Sequence, residues 1–228
     1  MGEKRRLLFC RLWRQLALET LVPGPCLAVG PGDYSDLTVI AGKQYRLHRS
    51  LICVRSRPLA AACKYNRANK SDEHENTLKD VLDLTDDDPH AIDCMLQFFY
   101  HLNYDAPEFG PVAEGANLDS PLELVLHARI YAVAEKYMVD GLKAVAMEKF
   151  EKATASGWNK HDFLEAARET YTSTIDSDKG LRDIVVKVFH AHKLSLLDKE
   201  EAVQLLTEVP VLAVHLLRCP DQRRPGYF

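Results

Sequence analysis

Residues 34–49 read YSDLTVIAGKQYRLHR, and this stretch decides the first part of the fold. Its first half, 37–40, is apolar and rich in β-branched residues, whereas 44–48 alternates polar and apolar side chains. Gly42 separates the two halves, and a glycine between two such runs is typical of a turn. The stretch therefore predicts a β-hairpin.

Two short helices and a third strand are predicted after the hairpin. The first helix covers 50–54, and the second begins near Ser56 with Pro58 in its first turn. Residues 71–90 then hold eight acidic side chains against one lysine, a pattern that predicts a solvated acidic rim. Within this rim the segment 81–84 (VLDL) indicates a short strand.

The rest of the chain shows helical periodicity. Asp88 and Pro89 form a start signal for a helix, because the carboxylate can cap free amides and proline removes an amide that the helix does not need. Apolar residues then recur at the spacing of one helical face, namely Ile92, Met95, Leu96 and Phe99. We therefore expect a long helix with one face in the core.

Three domain regions are predicted: a basic leader at 1–30, a domain at 31–153 and a helical C-terminal region at 154–228. Residues 105–121 contain three prolines and two glycines and are expected to form a flexible loop insertion. Ser120, Pro121 and Glu123 then predict a capped helix start, followed by a helical hairpin with a break at Asp140–Gly141. In the C-terminal region, Asp198 is expected to cap a further helix.

Composition excludes several classes of protein. With 46% hydrophobic and 27% charged residues among 228, the chain can bury a core and stay in solution, and its net charge of −4 argues against a dominant nucleic-acid surface. The six cysteines show no CxxC spacing, so neither a zinc finger nor a disulfide framework is predicted. No apolar run approaches the roughly 20 residues that span a bilayer. We expect a cytoplasmic or nuclear protein.

Enzymatic and metal-binding motifs are also missing. The sequence lacks the GxSxG, GxGxxG, GxxxxGK[ST] and HExxH patterns, so we expect no catalytic residues, no cofactor and no metal site. His190 and His192 lie two residues apart on a predicted helix, which separates their directions by roughly 200°. One ion could not bind both side chains.

The order of these elements resembles the BTB (POZ) domain. The residues that carry the resemblance are 34–39 (YSDLTV), 45–49 (YRLHR), 51–56 (LICVRS), 81–84 (VLDL), 98–100 (FFY), 132–137 (AVAEKY) and 141–143 (GLK). From the first to the last element of the resemblance they span residues 34 to about 153, roughly half of the chain. The long polar loop and the helical tail look like the fungal branch of the family. The resemblance implies an α+β, mostly helical fold, with a small sheet flanked by helical hairpins and followed by a helical C-terminal bundle.

The resemblance further implies a protein-interaction module that forms a homodimer or recruits protein partners, without direct binding to nucleic acid or membrane. Some members have a charged pocket at the dimer interface, at positions matched here by Asp36 and Arg49, with His48 in the same motif. The alternative is that Asp36 holds the end of the first strand, Arg49 lies at the surface and His48 is a packed structural histidine. An N-terminal segment often covers the partner's first core helix, which would use Leu8, Leu12 and Leu16.

Two alternative functions follow from the same resemblance. One is a substrate adaptor of a cullin-RING ubiquitin ligase, and the other is a transcriptional co-regulator that does not itself bind DNA. In adaptors the cullin scaffold docks on the region matched here by Met95, Phe98, Phe99, Tyr100, Leu102 and Tyr104. Adaptors usually carry a large substrate-binding domain, which this sequence lacks.

Overall fold

The computed structural model describes residues 35–68, 80–105, 123–158 and 161–219. Its strands are Leu37–Ala41 (β1), Lys43–Leu47 (β2) and Asp80–Asp83 (β3). Its helices are Arg49–Arg55 (α1), Arg57–Ala68 (α2), Pro89–His101 (α3), Glu123–Lys136 (α4), Asp140–Gly157 (α5), His161–Ser173 (α6), Gly180–Ala191 (α7), Lys193–Leu197 (α8), Glu200–Glu208 (α9) and Pro210–Arg218 (α10). The expected class, α+β and mostly helical, is confirmed.

The three strands form one sheet in the order β2-β1-β3. β1 pairs antiparallel with β2, with Val39 opposite Tyr45, so the hairpin is confirmed. Gly42 turns the chain with a φ of 66°, a conformation that costs glycine little because it has no Cβ. The third strand is also confirmed, and it pairs parallel to β1 with Leu82 opposite Val39. Alternate residues of β1 point into the core.

The acidic rim is not simply solvated where the structure describes it. The Asp87 carboxylate accepts hydrogen bonds from Lys136 Nζ at 2.7 Å and from the Tyr137 hydroxyl at 2.6 Å. Asp88 caps α3 as predicted, and its second carboxylate oxygen accepts from Arg129 at 2.9 Å. The expectation of full solvation was wrong at these two residues, because α4 presents donors to them.

Helix α4 lies at the centre of the described helices. Nine of its residues are buried around almost its whole circumference: Leu124, Val125, Leu126, His127, Ala128, Ile130, Tyr131, Val133 and Ala134. Helices α3, α5 and α6 pack against it from different sides. The C-terminal region thus supplies part of the wall around this helix.

One hydrophobic core extends through the described residues, from Leu37 in β1 to Leu212 in α10. Helix α5 runs without interruption across the predicted boundary at residues 153–154. The helices that follow this boundary therefore share their core with the elements before it.

Several helix ends differ from the predicted ones. The break after α4 lies at 137–139, where Met138 has a φ of 52°, and Asp140 begins α5. Asp198 does not cap α9, because it ends the short helix α8, and Lys199 takes the position before α9. The leader and residues 106–121 of the loop predicted at 105–121 lie outside the described residues, as do Ser120 and Pro121 of the predicted cap.

A polar junction joins α4 and α5 to the start of α7. The Tyr131 hydroxyl donates to Asp178 at 2.7 Å, and Lys143 Nζ lies 2.7 Å from the other oxygen of that carboxylate. Burial and the bond to Asp178 raise the pKa of Tyr131 to about 12. Gly180 begins α7 directly against the tyrosine, where a Cβ would overlap the hydroxyl oxygen.

We predict that Gly180→Ala destabilises the protein by about 1–3 kcal/mol, the usual cost of overpacking, because the methyl group must displace Tyr131. An alanine in a helix would otherwise be favourable by up to about 1 kcal/mol. Gly157→Ala is the matched control, since its Cβ would lie 3.4 Å from a flexible Leu124 methyl. Urea unfolding of both variants measures the difference, and equal stabilities would contradict the junction.

A histidine is buried in the same core. His127 is 3% exposed, and its Nδ1 lies 2.9 Å from the Tyr104 hydroxyl. Burial, together with the nearby positive charge of Lys149, lowers the pKa of His127 to about 4. The folded protein therefore holds this imidazole neutral over a pH range in which the unfolded chain protonates it.

We predict that His127 makes the protein less stable as pH falls from about 6.5 to about 4, because the unfolded chain then binds the extra proton. The full loss is about 3 kcal/mol, given roughly 1.36 kcal/mol per pKa unit. His127→Gln should flatten this part of the profile of unfolding free energy against pH. The exposed His101 supplies the control His101→Gln, which should keep the parent slope.

Candidate interaction surface

The start of α1 is held by a carboxylate from before the sheet. Asp36 Oδ1 accepts a hydrogen bond from the Arg49 amide at 2.8 Å, and the Asp36 amide donates to the Leu47 carbonyl at 3.2 Å. The residue directly before α1, His48, makes no side-chain cap of its own. Asp36 therefore satisfies a free amide at the helix start and holds the end of β1, as the structural alternative expected.

His48 is tied to α3. Its backbone amide donates to the Tyr100 hydroxyl at 3.1 Å, and its Nδ1 lies 3.1 Å from the same oxygen. A hydroxyl that accepts from the amide can donate its own proton to Nδ1. Burial raises the pKa of Tyr100, which keeps this proton in place. The interpretation of His48 as a packed structural histidine fits this geometry.

Arg49 lies half-buried beside a pair of cysteines. Burial and the neighbouring Cys53 raise the pKa of the Cys63 thiol to about 11, whereas the positive charge of Arg49 acts to lower it. A thiol with such a raised pKa stays protonated at neutral pH and is a poor nucleophile. Asp36 thus contacts the backbone amide of Arg49, and the half-buried Arg49 side chain lies near Cys63. The charged pocket stays a prediction.

The region predicted to face a cullin scaffold lies mostly inside the protein. Its buried side chains are Met95, Phe98, Phe99 and Tyr104. Tyr100 is half-buried through its contact with His48, and Leu102 is 44% exposed at the left-handed end of α3. A partner at this site would therefore contact Leu102 and the edge of Tyr100, while the other four side chains serve the core. Leu8, Leu12 and Leu16 lie outside the described residues.

Sequence reasoning missed the most exposed apolar side chain of α1. Val54 of α1 is 85% exposed, although Ile52 two residues earlier is fully buried. Two residues correspond to about 200° around a helix, so the position of Ile52 places Val54 on the outer face. The signal was present in the spacing, but a helix of seven residues is too short to show its inner face without knowledge of its neighbours.

The end of α1 is fixed as firmly as its start. Ser56 is 1% exposed, and its hydroxyl donates to the Tyr137 carbonyl at 2.7 Å while it accepts from the Leu59 amide at 3.2 Å. Helix α1 is therefore a fixed platform, with Ile52 inside and Val54 outside.

Among the described residues, no group of three or more histidine, cysteine, aspartate or glutamate side chains is arranged to hold a metal ion. Among the same residues, no helix has the length and apolar character needed to cross a bilayer. Neither a protein-family model nor a curated protein matches this chain. The resemblance to BTB domains therefore rests on the residue pattern alone.

We predict that Tyr100→Phe destabilises the protein by about 1–3 kcal/mol, because the amide of His48 loses its acceptor and stays partly buried. Tyr65→Phe is the matched control, since Tyr65 is largely exposed and its change should stay within about 0.5 kcal/mol. Thermal and urea unfolding provide the comparison. Equal effects in the two variants would show that the Tyr100 hydroxyl does not hold α1.

Proposed function

We propose that this chain is a protein-interaction module that self-associates through the outer face of α1. The observation that carries the proposal is Val54, which the fold holds almost fully exposed on a short helix fixed at both ends. A rigid apolar platform loses little conformational entropy on binding, so more of the contact energy appears as affinity.

The surroundings of Val54 suit an interface between two copies. Leu51 on the same helix is half-buried and adds apolar area, and Asp36 and Arg49 lie at the start of this helix. Interfaces commonly combine an apolar centre with a polar rim. In a symmetric dimer each copy presents the same patch, so these charges would set the register of the two copies rather than supply most of the affinity.

The size of α1 indicates that it does not act alone. Seven residues form a helix about 10 Å long, whereas a stable interface buries at least roughly 1,000 Å². The predicted amphipathic leader with Leu8, Leu12 and Leu16 would supply additional apolar area. We therefore propose that the leader of one copy covers α1 of its partner.

The alternative function, a cullin-RING substrate adaptor, has less support. Four of its six expected contact side chains are buried in this chain's own core, and Leu102 is the main exposed remainder. A transcriptional co-regulator that acts by pairing would use the same α1 surface as the proposed dimer.

We predict that the protein is a dimer of twice 25.8 kDa by light scattering at ~50 µM, where an interface of ordinary size assembles. Val54→Asp should weaken the dimer at least about 100-fold, because a carboxylate would be buried without a partner. Val203→Asp, at an exposed position of α9, is the matched control and should remain dimeric. A monomeric parent, or a Val54→Asp dimer of unchanged affinity, would rule out this interface.

The role of the leader is tested separately. We predict that Leu12→Asp in the full chain also weakens the dimer, whereas Cys10→Asp, about 200° away from Leu12 around a helix, does not. Sedimentation over a range of concentrations measures both. If Leu12→Asp leaves the dimer intact while Val54→Asp disrupts it, α1 is the interface and the leader is not part of it.

A further inference from the structure

A cleft of about 670 Å³ lies between the end of α5 and the end of α7. Its volume is in the range of about 300–1,000 Å³ that is typical of small-molecule sites. The start of α8 and Cys219 complete the lining. No residue of the proposed α1 interface contributes to it, so the two surfaces are independent.

An aromatic stack forms one wall of the cleft. The indole of Trp158 and the imidazole of His192 lie parallel, with ring centroids 3.7 Å apart and planes inclined by 5°. Both side chains are half-buried. Ile184 and Val188 of α7 add apolar surface to the lining. A flat, apolar group would find both a stacking partner and an apolar floor here.

Two of the three charged side chains in the lining, Lys187 and Lys193, are cationic. Lys187, Lys193 and His190 contribute nitrogen donors, whereas Glu151 is the one carboxylate among the lining residues described. Lys187 is exposed, and its flexible ammonium group can move to meet an anion. This balance of charge disfavours a cationic ligand and favours a carboxylate or phosphate.

We propose that this cleft binds a small aromatic anion, whose ring packs on the Trp158–His192 wall and whose carboxylate or phosphate pairs with Lys187 and Lys193. The site brings the end of α5 against α7 and α8, which follow more than 20 residues later in the sequence, and neither lysine is part of any motif visible in the sequence. Metal binding through the two histidines does not compete with this assignment, because the described residues supply no third ligand and His192 is engaged by the indole.

The test is calorimetric titration of the full chain with three probes of similar shape: naphthoate, naphthyl phosphate and neutral naphthamide. We expect one site for at least one of the two anions and about tenfold weaker binding of naphthamide, since a charge-assisted contact typically contributes about this factor. The anion that binds more tightly identifies the acidic group. No binding of either anion at millimolar concentration, or equal binding of all three probes, overturns the proposal.

Variants assign the site to these residues. Lys187→Ala should weaken the anion about tenfold and leave naphthamide unchanged, whereas Trp158→Leu should weaken all three probes, because stacking on an aromatic ring is lost. Lys64→Ala removes an exposed lysine on α2, outside the cleft, and should bind as the parent does. If Lys187→Ala also binds as the parent does, the proposal fails.

An optical readout covers the case in which Trp158→Leu does not fold. The chain has two tryptophans, so Trp13→Phe leaves Trp158 as the one reporter. The anion that binds in calorimetry should change the emission of this variant with the same dissociation constant. Binding by calorimetry without any change in emission would place the ligand away from Trp158 and overturn the assignment.

Discussion

The rest of the structure depends on the burial of α4 on nearly all sides. A helix that exposes almost no face must be enclosed by other elements, and here α3, α5 and α6 each cover part of it. Helix α6 of the C-terminal region is therefore part of the same core, because without it apolar side chains of α4 would face water. The start of α7 also meets α4, through the Tyr131–Asp178 bond and at Gly180, where a Cβ would overlap the Tyr131 hydroxyl.

The sheet and α1 depend on the same core indirectly, through hydrogen bonds. Helix α1 is too short to be stable alone, and its position comes from bonds to Asp36, to Tyr100 of α3 and to the Tyr137 carbonyl at the end of α4. The two ends of the platform that exposes Val54 are therefore fixed by residues far away in sequence. The position of the exposed Val54 therefore depends on the packing of the helical core.

The two proposed surfaces suit different kinds of partner. The face of α1 offers an exposed apolar side chain with charges at its edge, which suits a flat protein partner. The cleft between α5 and α7 offers a concave lining with an aromatic wall and cationic side chains, which suits a small anion. Because they share no residue, occupancy of one does not require occupancy of the other.

Local sequence patterns determined the hairpin at 37–47, the third strand, the Asp88 cap and the existence of most helices, because each depends on neighbours within a few residues. They did not determine which helix is central, since α4 and α6 each look amphipathic until the chain brings them together. The tertiary structure also decided which polar residues are paired. Asp87 and Asp88 are hydrogen-bonded because α4 presents Lys136 and Arg129 to them. Of the predicted cullin-facing residues, Phe98 and Tyr104 were placed in the core by contacts distant in sequence, whereas the helical spacing had already predicted the burial of Met95 and Phe99.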